Sequence, residues 1–136
     1  MIIKIKKTHP NAVIPAYAKP GDAGMDLTAV GFTEKNMYIT YHTGLAIEIP
    51  DGHVGLLFPR SSVYKTGQQL SNCVGVIDSG YRGEIMMKFT RSVDQYCIGD
   101  RVGQIMVLPY PKINFKEVDQ LSDTQRGGGG FGSTGN

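Results

Sequence analysis

Asp78 closes the apolar run 74–77 and is followed by a Ser-Gly turn and then by Tyr81. A carboxylate delivered to a strand end beside a pocket can take a proton from water, which makes Asp78 the best general-base candidate in the chain. The same Asp-Ser-Gly order also suits a capped turn, and the residues alone leave both uses open. Tyr81 is either an ordinary core or surface aromatic or, set under a sugar, a ring that fills the space a 2′-hydroxyl needs. Asn72 carries both a donor and an acceptor, which suits the edge of a pyrimidine.

A second group lies in FPRSSVYKTG. Pro59 ends an apolar strand pattern, and Ser61 and Ser62 stand where a short helix begins, so free backbone N–H groups, two hydroxyls and the Arg60 guanidinium converge on one point. Such a seat suits a phosphate; a plain N-cap beside a surface arginine is the alternative. In GDRVGQIMVLPY, alternation puts the amide of Gln104 on the same side as Val102, Met106 and Leu108, where it needs either a backbone partner or a ligand oxygen. Asp26 alternates away from Met25 and Leu27. It is either solvent-facing or a carboxylate aimed into a cleft, where it could hold waters on a magnesium ion near bound phosphates.

The third group is RGGGGFGSTG, residues 126–135. Composition alone favours a disordered terminus. Arg126, Phe131, Ser133 and Thr134 are nevertheless parts that could grip an anion and a flat ring together, between glycines that let backbone N–H groups turn toward one point.

The elements that must position these residues read as strands. Short runs with period-two alternation recur between Gly, Pro, Asp and Asn clusters, at residues 2–6, 25–30, 38–41, 44–49, 54–58, 74–77, 84–90, 101–108 and 115–118. The pattern predicts an all-β domain, a barrel or jelly roll, with one very short helix over 61–67. Lys4, Lys6 and Lys7 mark an edge strand guarded against pairing with other chains. Apolar density falls after Pro111 and nearly vanishes from Ser122 to Phe131, so a domain over 1–121 and a flexible tail over 122–136 are expected.

A chain of 136 residues suits one domain, of a size at which oligomerisation helps stability. A net charge of +2 with 19% charged residues gives no general affinity for polyanions or membrane surfaces, so neither a nucleic acid nor a membrane is expected as partner. The start lacks the long apolar run of a signal peptide, and no segment approaches the roughly 18 apolar residues of a spanning helix, so a soluble, intracellular and cytoplasmic protein is expected. Cys73 and Cys97, with His9, His42 and His53, show no metal-ligand spacing, and the cysteines read as free thiols in apolar runs.

In order along the chain, AGMDL, PRSS, NCVGVIDSGYRGEI, GDRVGQIMVLP and RGGGGFGSTG resemble the five motifs of the trimeric dUTPase family. The likeness runs from about residue 23 to residue 135, and its third and fifth motifs are highly specific. It implies a distorted jelly-roll subunit of the β-clip type in a homotrimer, with active sites shared between subunits and the tail closing over dUTP. It implies hydrolysis of dUTP to dUMP and pyrophosphate, which keeps uracil out of DNA and supplies dUMP for thymidylate synthesis. Asn72 with the backbone of Gly75, Val76, Ile77 and Asp78 is implied to read uracil, Tyr81 to pack on the deoxyribose, and Met86 to line the sugar and base side. Arg60, Ser61, Ser62 and Gln104 are implied to hold the phosphates, and Asp26 to reach Mg²⁺ through water, the ion being held mainly by the phosphates. Asp78 is implied to activate the water that attacks the α-phosphorus. In the tail, Phe131 is implied to stack on uracil, with Arg126, Gly132, Ser133 and Thr134 around the γ-phosphate.

A related enzyme class, dCTP deaminase, resembles this fold and shares an Arg-Ser-Ser and an Ile-Asp stretch. It places a glutamate base where this chain has Lys88, and it lacks the tail. A binding protein that regulates a partner is the reading from another class. Loss of turnover in Asp78→Asn with dUTP binding kept separates an enzyme from a module whose partner function survives that change.

Overall fold

Burial alternates cleanly where the sequence does: in residues 84–90, Ile85, Met87 and Phe89 are buried while Met86 and Lys88 are exposed. That period-two pattern makes one face of a half-buried strand. The computed structural model describes residues 1–133 and 135, and in it eight strands form: β1 (Lys4–Lys7), β2 (Met25–Thr28), β3 (Gly31–Lys35), β4 (Tyr38–Glu48), β5 (His53–Phe58), β6 (Gly75–Ile77), β7 (Glu84–Thr90) and β8 (Arg101–Pro109). A 3-10 helix, Ser61–Lys65, follows β5.

The strands make two antiparallel four-stranded sheets. In one, β4 pairs with β1, β3 and β7; the other runs in the order β2-β8-β5-β6. Their inner faces share one core, with Ile39, Tyr41, Leu45, Ile85, Met87 and Phe89 from the first sheet and Leu27, Leu57, Val102 and Ile105 from the second. Tyr41, Phe89 and Tyr96 pack edge to face, with ring centroids 5.7–6.0 Å apart. Each such buried side chain contributes roughly 1.5–3 kcal/mol of transfer free energy. The expected all-β, jelly-roll architecture is the one observed, and among the described residues no helix is long and apolar enough to cross a membrane.

β4 carries the main irregularity. Its pairing with β7 shifts between His42 and Ala46, so Thr43, Gly44 and Leu45 stand opposite Ile85 alone. An excess of two residues keeps the side-chain phase, and Tyr41, Thr43, Leu45 and Ile47 all remain buried. Side chains replace the missing ladder bonds: Thr43 Oγ1 donates to the Ile85 carbonyl at 2.6 Å, and the Gly44 N–H donates to Glu84 Oε1 at 2.8 Å. Gly44 has φ 64°, and a Cβ there would sit 2.6 Å from the His9 Cβ, so glycine is required.

Several expectations change. The runs at 38–41 and 44–49 are one strand, because the bulge lets the chain continue through Gly44. β3 was not expected, since Phe32 to Lys35 are all exposed and show no apolar face; it forms as a hairpin through Asn36, whose φ is 54°. Residues 115–118 form no strand, Phe115 and Val118 lie exposed, and among the described residues no strand pairs with them. The helix is 3-10 and ends at Lys65. Both cysteines are free, as expected, yet exposed rather than packed in apolar runs. β1, with its lysines, is an edge strand.

Candidate active site

Two clefts gather the residues singled out above. The first, of about 640 Å³, is lined by Asp26, Arg60, Ser61, Gln104 and Met106 together with Lys19 and Gly24. Pairing explains its assembly. Asp26 on β2 lies directly opposite Gln104 on β8, and Gln104 lies opposite Phe58 on β5, two residues before Arg60. Gly24 leaves room for the Gln104 amide, because a Cβ at that position would collide with Oε1. Gln104 Nε2 donates to the Pro59 carbonyl at 3.1 Å, so the backbone partner is present and the amide is held at the cleft wall.

Asp26 is neither solvent-facing nor unpaired. Its Oδ1 accepts from Arg60 Nε at 3.1 Å and its Oδ2 from Arg101 Nη1 at 3.1 Å. Arg60 thus spends Nε on the carboxylate, while its two Nη groups are left to face an anion. Arg60 adopts β-region backbone at the helix start without a side-chain cap, and Val63 N is the first helical donor, to Arg60 O at 3.0 Å. The N–H groups of Ser61 and Ser62 precede that first bond and have no intrahelical acceptor. Arg101 was missed by sequence reasoning. Strict alternation turns it away from Gln104, three residues on, and puts Val102 on the side of Gln104; instead the register shifts opposite Leu27 and Thr28, Val102 is buried in the core with Ile105, and Arg101 reaches Asp26.

Magnesium can be tested against this donor set. Among the described residues no three acidic, histidine or cysteine side chains cluster, so the chain builds no cage of its own. One half-buried carboxylate on the cleft wall does fit an ion that keeps its hydration shell and takes its direct ligands from phosphates.

The second cleft, of about 190 Å³, is lined by Val76, Ile77, Asp78, Tyr81, Glu84 and Met86. Among the described residues β6 pairs only with β5, so its outer edge is unpaired there and its backbone is available to a ligand edge. Gly75 packs against Leu57, whose Cβ would be 3.0 Å from an added Cβ. Asp78 is exposed; its carbonyl accepts from Tyr81 N at 3.0 Å, while its carboxylate has no hydrogen-bond partner among the described residues. The turn therefore closes through the backbone and leaves the acid free. Tyr81 is fixed by its hydroxyl, which donates to the Glu84 carbonyl at 2.9 Å. Asn72 is exposed in the tight turn before β6, where Cys73 has φ 60°, and it does not line this cleft. Ser62 is half-buried and does not line the first cleft.

These clefts do not merge. Gln104 faces Phe58, whereas Ile77 faces Gly55, so Ile77 and Gln104 are two strands apart and three residues apart along the sheet. That is about 10 Å across and about 10 Å along. The tail joins neither. Arg126 Nε donates to the Gly129 carbonyl at 2.9 Å, Ser133 N to the Gly130 carbonyl at 3.1 Å, and no hydrogen bond links 126–133 to the barrel among the described residues. Phe131 and Gly132 have positive φ and are exposed, the ring entirely so; Thr134 lies outside the described residues.

Comparison with known proteins gives a consistent picture. The sequence model of the dUTPase family matches residues 10–135. The chain is 38% identical over 144 residues to a deoxyuridine 5′-triphosphate nucleotidohydrolase of Thermobifida fusca (strain YX), covering 98% of this chain and 78% of that protein. It is 41% identical over 152 residues to the enzyme of the same name from Escherichia phage T5, covering 98% and 99%. Among solved structures, the dUTPase of Staphylococcus bacteriophage 80alpha with dUPNHPP superposes with a TM-score of 0.86 at 25% identity, covering 99% of each chain.

Proposed function

The chain belongs to the dUTPase family and hydrolyses dUTP to dUMP and pyrophosphate, and from that premise we propose how its two clefts share the work. The observation that carries the reading is the pairing of an anion seat, Arg60 with Gln104 and the Ser61 and Ser62 N–H groups, with a free carboxylate beside a fixed aromatic, Asp78 with Tyr81.

Asp78 takes a proton from a water molecule. The water oxygen bonds to the α-phosphorus, the bond from that phosphorus to the α,β-bridging oxygen breaks, and pyrophosphate leaves with the electron pair. The reaction needs positioning and charge neutralisation more than covalent catalysis, and the first cleft supplies both through Arg60, the helix-start N–H groups of Ser61 and Ser62, and Gln104. Mg²⁺ carried by the substrate phosphates would add charge neutralisation, and Asp26 would hold it indirectly, through water. Asn72 and the open edge of Gly75, Val76, Ile77 and Asp78 read uracil, and Met86 lines the sugar side. Tyr81 occupies the space of a 2′-hydroxyl and so rejects ribonucleotides.

A base that must place water within about 3 Å of phosphorus cannot serve phosphates seated at the other end of its own sheet. That separation supports a homotrimer in which the first cleft of one subunit faces the second cleft of its neighbour. The exposed Ile113, Phe115, Val118 and Leu121 beyond β8 support it too, since their cover must come from another chain. The tail, 122–136, serves as the lid beyond a barrel of 1–121. Phe131 stacks on uracil while Arg126, Gly132, Ser133 and Thr134 gather at the γ-phosphate, and closing excludes water. The reaction draws on the cytoplasmic nucleotide pool, which is where the enzyme is proposed to act, supplying dUMP and keeping uracil out of DNA.

Pyrophosphate release from dUTP, dCTP and UTP in the presence of Mg²⁺ tests the activity. Turnover of dUTP alone is expected, and ammonia release from dCTP would instead indicate the deaminase reading. Sedimentation equilibrium tests the assembly, with a mass of about three chains expected.

A further inference from the structure

Glu84 is the residue of the second cleft that motif reasoning left without a role, and it makes three separate connections. Its carbonyl accepts the Tyr81 hydroxyl at 2.9 Å. Its Oε1 accepts the Gly44 N–H at 2.8 Å, in the bulge where β4 and β7 lose their ladder bonds. Its Oε2 lies 3.2 Å from His42 Nδ1, and the other ring nitrogen of His42 lies 3.3 Å from Thr33 Oγ1 on β3. The carboxylate and the imidazole are both about a quarter exposed. Glu84 is also the first residue of β7, directly after the Tyr81–Gly83 turn, where a strand would otherwise fray.

We propose that Glu84 is a positioning residue for the sugar platform, with His42 as its brace: the pair pins the start of β7 to the β4 bulge, and that pinned backbone holds the ring of Tyr81. The logic is geometric. Tyr81 can exclude a 2′-hydroxyl only if its ring cannot yield, because steric rejection is as strong as the wall that delivers it. One side of the ring lies over Gly83, where a Cβ would collide with it. Its hydroxyl is tethered to the Glu84 carbonyl, so the ring is as rigid as residue 84. Cross-strand pairing holds residue 84 only at its end of the strand, through Ala46, because the next paired position on β4 is His42 and the chain between them is bulged. Across the bulge the Glu84 carboxylate and Thr43 Oγ1 supply the rest. Thr33 and His42 then fix the carboxylate from the far side, which extends the support to the β3 hairpin.

This inference rests on the reading that Tyr81 packs against deoxyribose, and the experiment keeps the two separable. The readout is kcat/KM for dUTP divided by that for UTP, with KM and kcat resolved, in Glu84→Ala, Glu84→Gln, His42→Ala and Tyr81→Ala. Glu84→Ala is expected to lower the ratio about fivefold to tenfold, the size of a lost hydrogen-bonded contact, mainly through a raised kcat/KM for UTP, which a yielding ring admits. Glu84→Gln is expected to restore most of it, since its amide oxygen can accept from Gly44 and its NH₂ can donate to His42. His42→Ala is expected to move the ratio in the same direction by less. A folded Glu84→Ala with lowered thermal stability but an unchanged ratio, while Tyr81→Ala lowers the ratio, overturns the proposal and leaves Glu84 merely structural. An unchanged ratio in Tyr81→Ala overturns the reading of Tyr81, and the proposal with it. If Glu84→Ala does not fold, His42→Ala decides in its place, because it keeps the Gly44 bond: a lowered ratio supports the proposal and an unchanged one overturns it.

Discussion

Arg60 Nε lies 3.1 Å from Asp26 Oδ1, and this contact ties the guanidinium to the carboxylate in the wall of the first cleft. A lysine could pair with Asp26 or face a phosphate, but as a single point donor it does both poorly. Arg60→Lys is therefore expected to lower kcat/KM for dUTP by about 10- to 100-fold, the worth of a charge-assisted hydrogen bond. In Asp26→Asn, Arg60 and Arg101 lose the charge between them and the cleft loses its carboxylate, so half-maximal activity should need more Mg²⁺. A Mg²⁺ titration of initial rates after EDTA treatment checks this, and identical titration curves would remove Asp26 from the metal's surroundings.

Asp78→Asn removes the proton acceptor and keeps the size of the side chain. Turnover is expected to fall by about 10²–10⁴-fold, the range for a general base. Calorimetric binding of a non-hydrolysable dUTP analogue should change little. Weakened binding with ordinary turnover would assign the carboxylate to uracil reading only.

Removal of residues 126–136 deletes groups that make no hydrogen bond to the barrel among the described residues, so the unfolding midpoint should move little. Turnover should drop by about 10²-fold or more, as when preorganised donors are taken from a phosphoryl site. A fully active truncated chain would mean that the tail is a disordered terminus after all.

Gly44→Ala places a methyl group against His9 Cβ and Ala12 Cβ, 2.6 and 3.2 Å away, at a φ of 64°. Strain and overpacking add, and a loss of roughly 2–4 kcal/mol is expected in denaturant unfolding. The same substitution at Gly31, where the added Cβ meets nothing within 4 Å, is the control.

Burial lifts the Tyr41 and Tyr96 phenols above their ordinary value of 10.0, and hydrogen bonds of Tyr41 to Gln68 and the Tyr96 N–H offset only part of its rise. Below that value both phenols are neutral, folded or unfolded, and contribute no pH dependence. Above it the unfolded chain releases its protons first, so stability falls as pH rises until the folded-state values are passed. Denaturant midpoints should be lower at about pH 11 than at about pH 9, and Tyr41→Phe should flatten part of that slope.

The sequence by itself determined the parts and their grouping by type. Period-two alternation in 84–90, the apolar run at 105–108, and the breaks at Pro59 and Asp78 act through neighbouring residues, so the strands β7 and β8 and the 3-10 start could be read directly. Motif spelling likewise marked Asp26, Arg60, Gln104, Asp78 and Tyr81 for the site. Tertiary structure decided which of them meet. Asp26 joins Arg60 and Gln104 because β2, β8 and β5 are neighbours, a fact of sheet order that no local pattern encodes. It also decided that Arg101 and Glu84 matter, since each acts through a partner at least 40 positions away: Arg101 through Asp26, and Glu84 through Gly44 and His42. β3 was illegible because its residues face solvent and carry no apolar period, and residues 115–118 misled because their apolar pattern has no partner strand among the described residues. Local periodicity reports which face is buried; only the fold supplies what it is buried against.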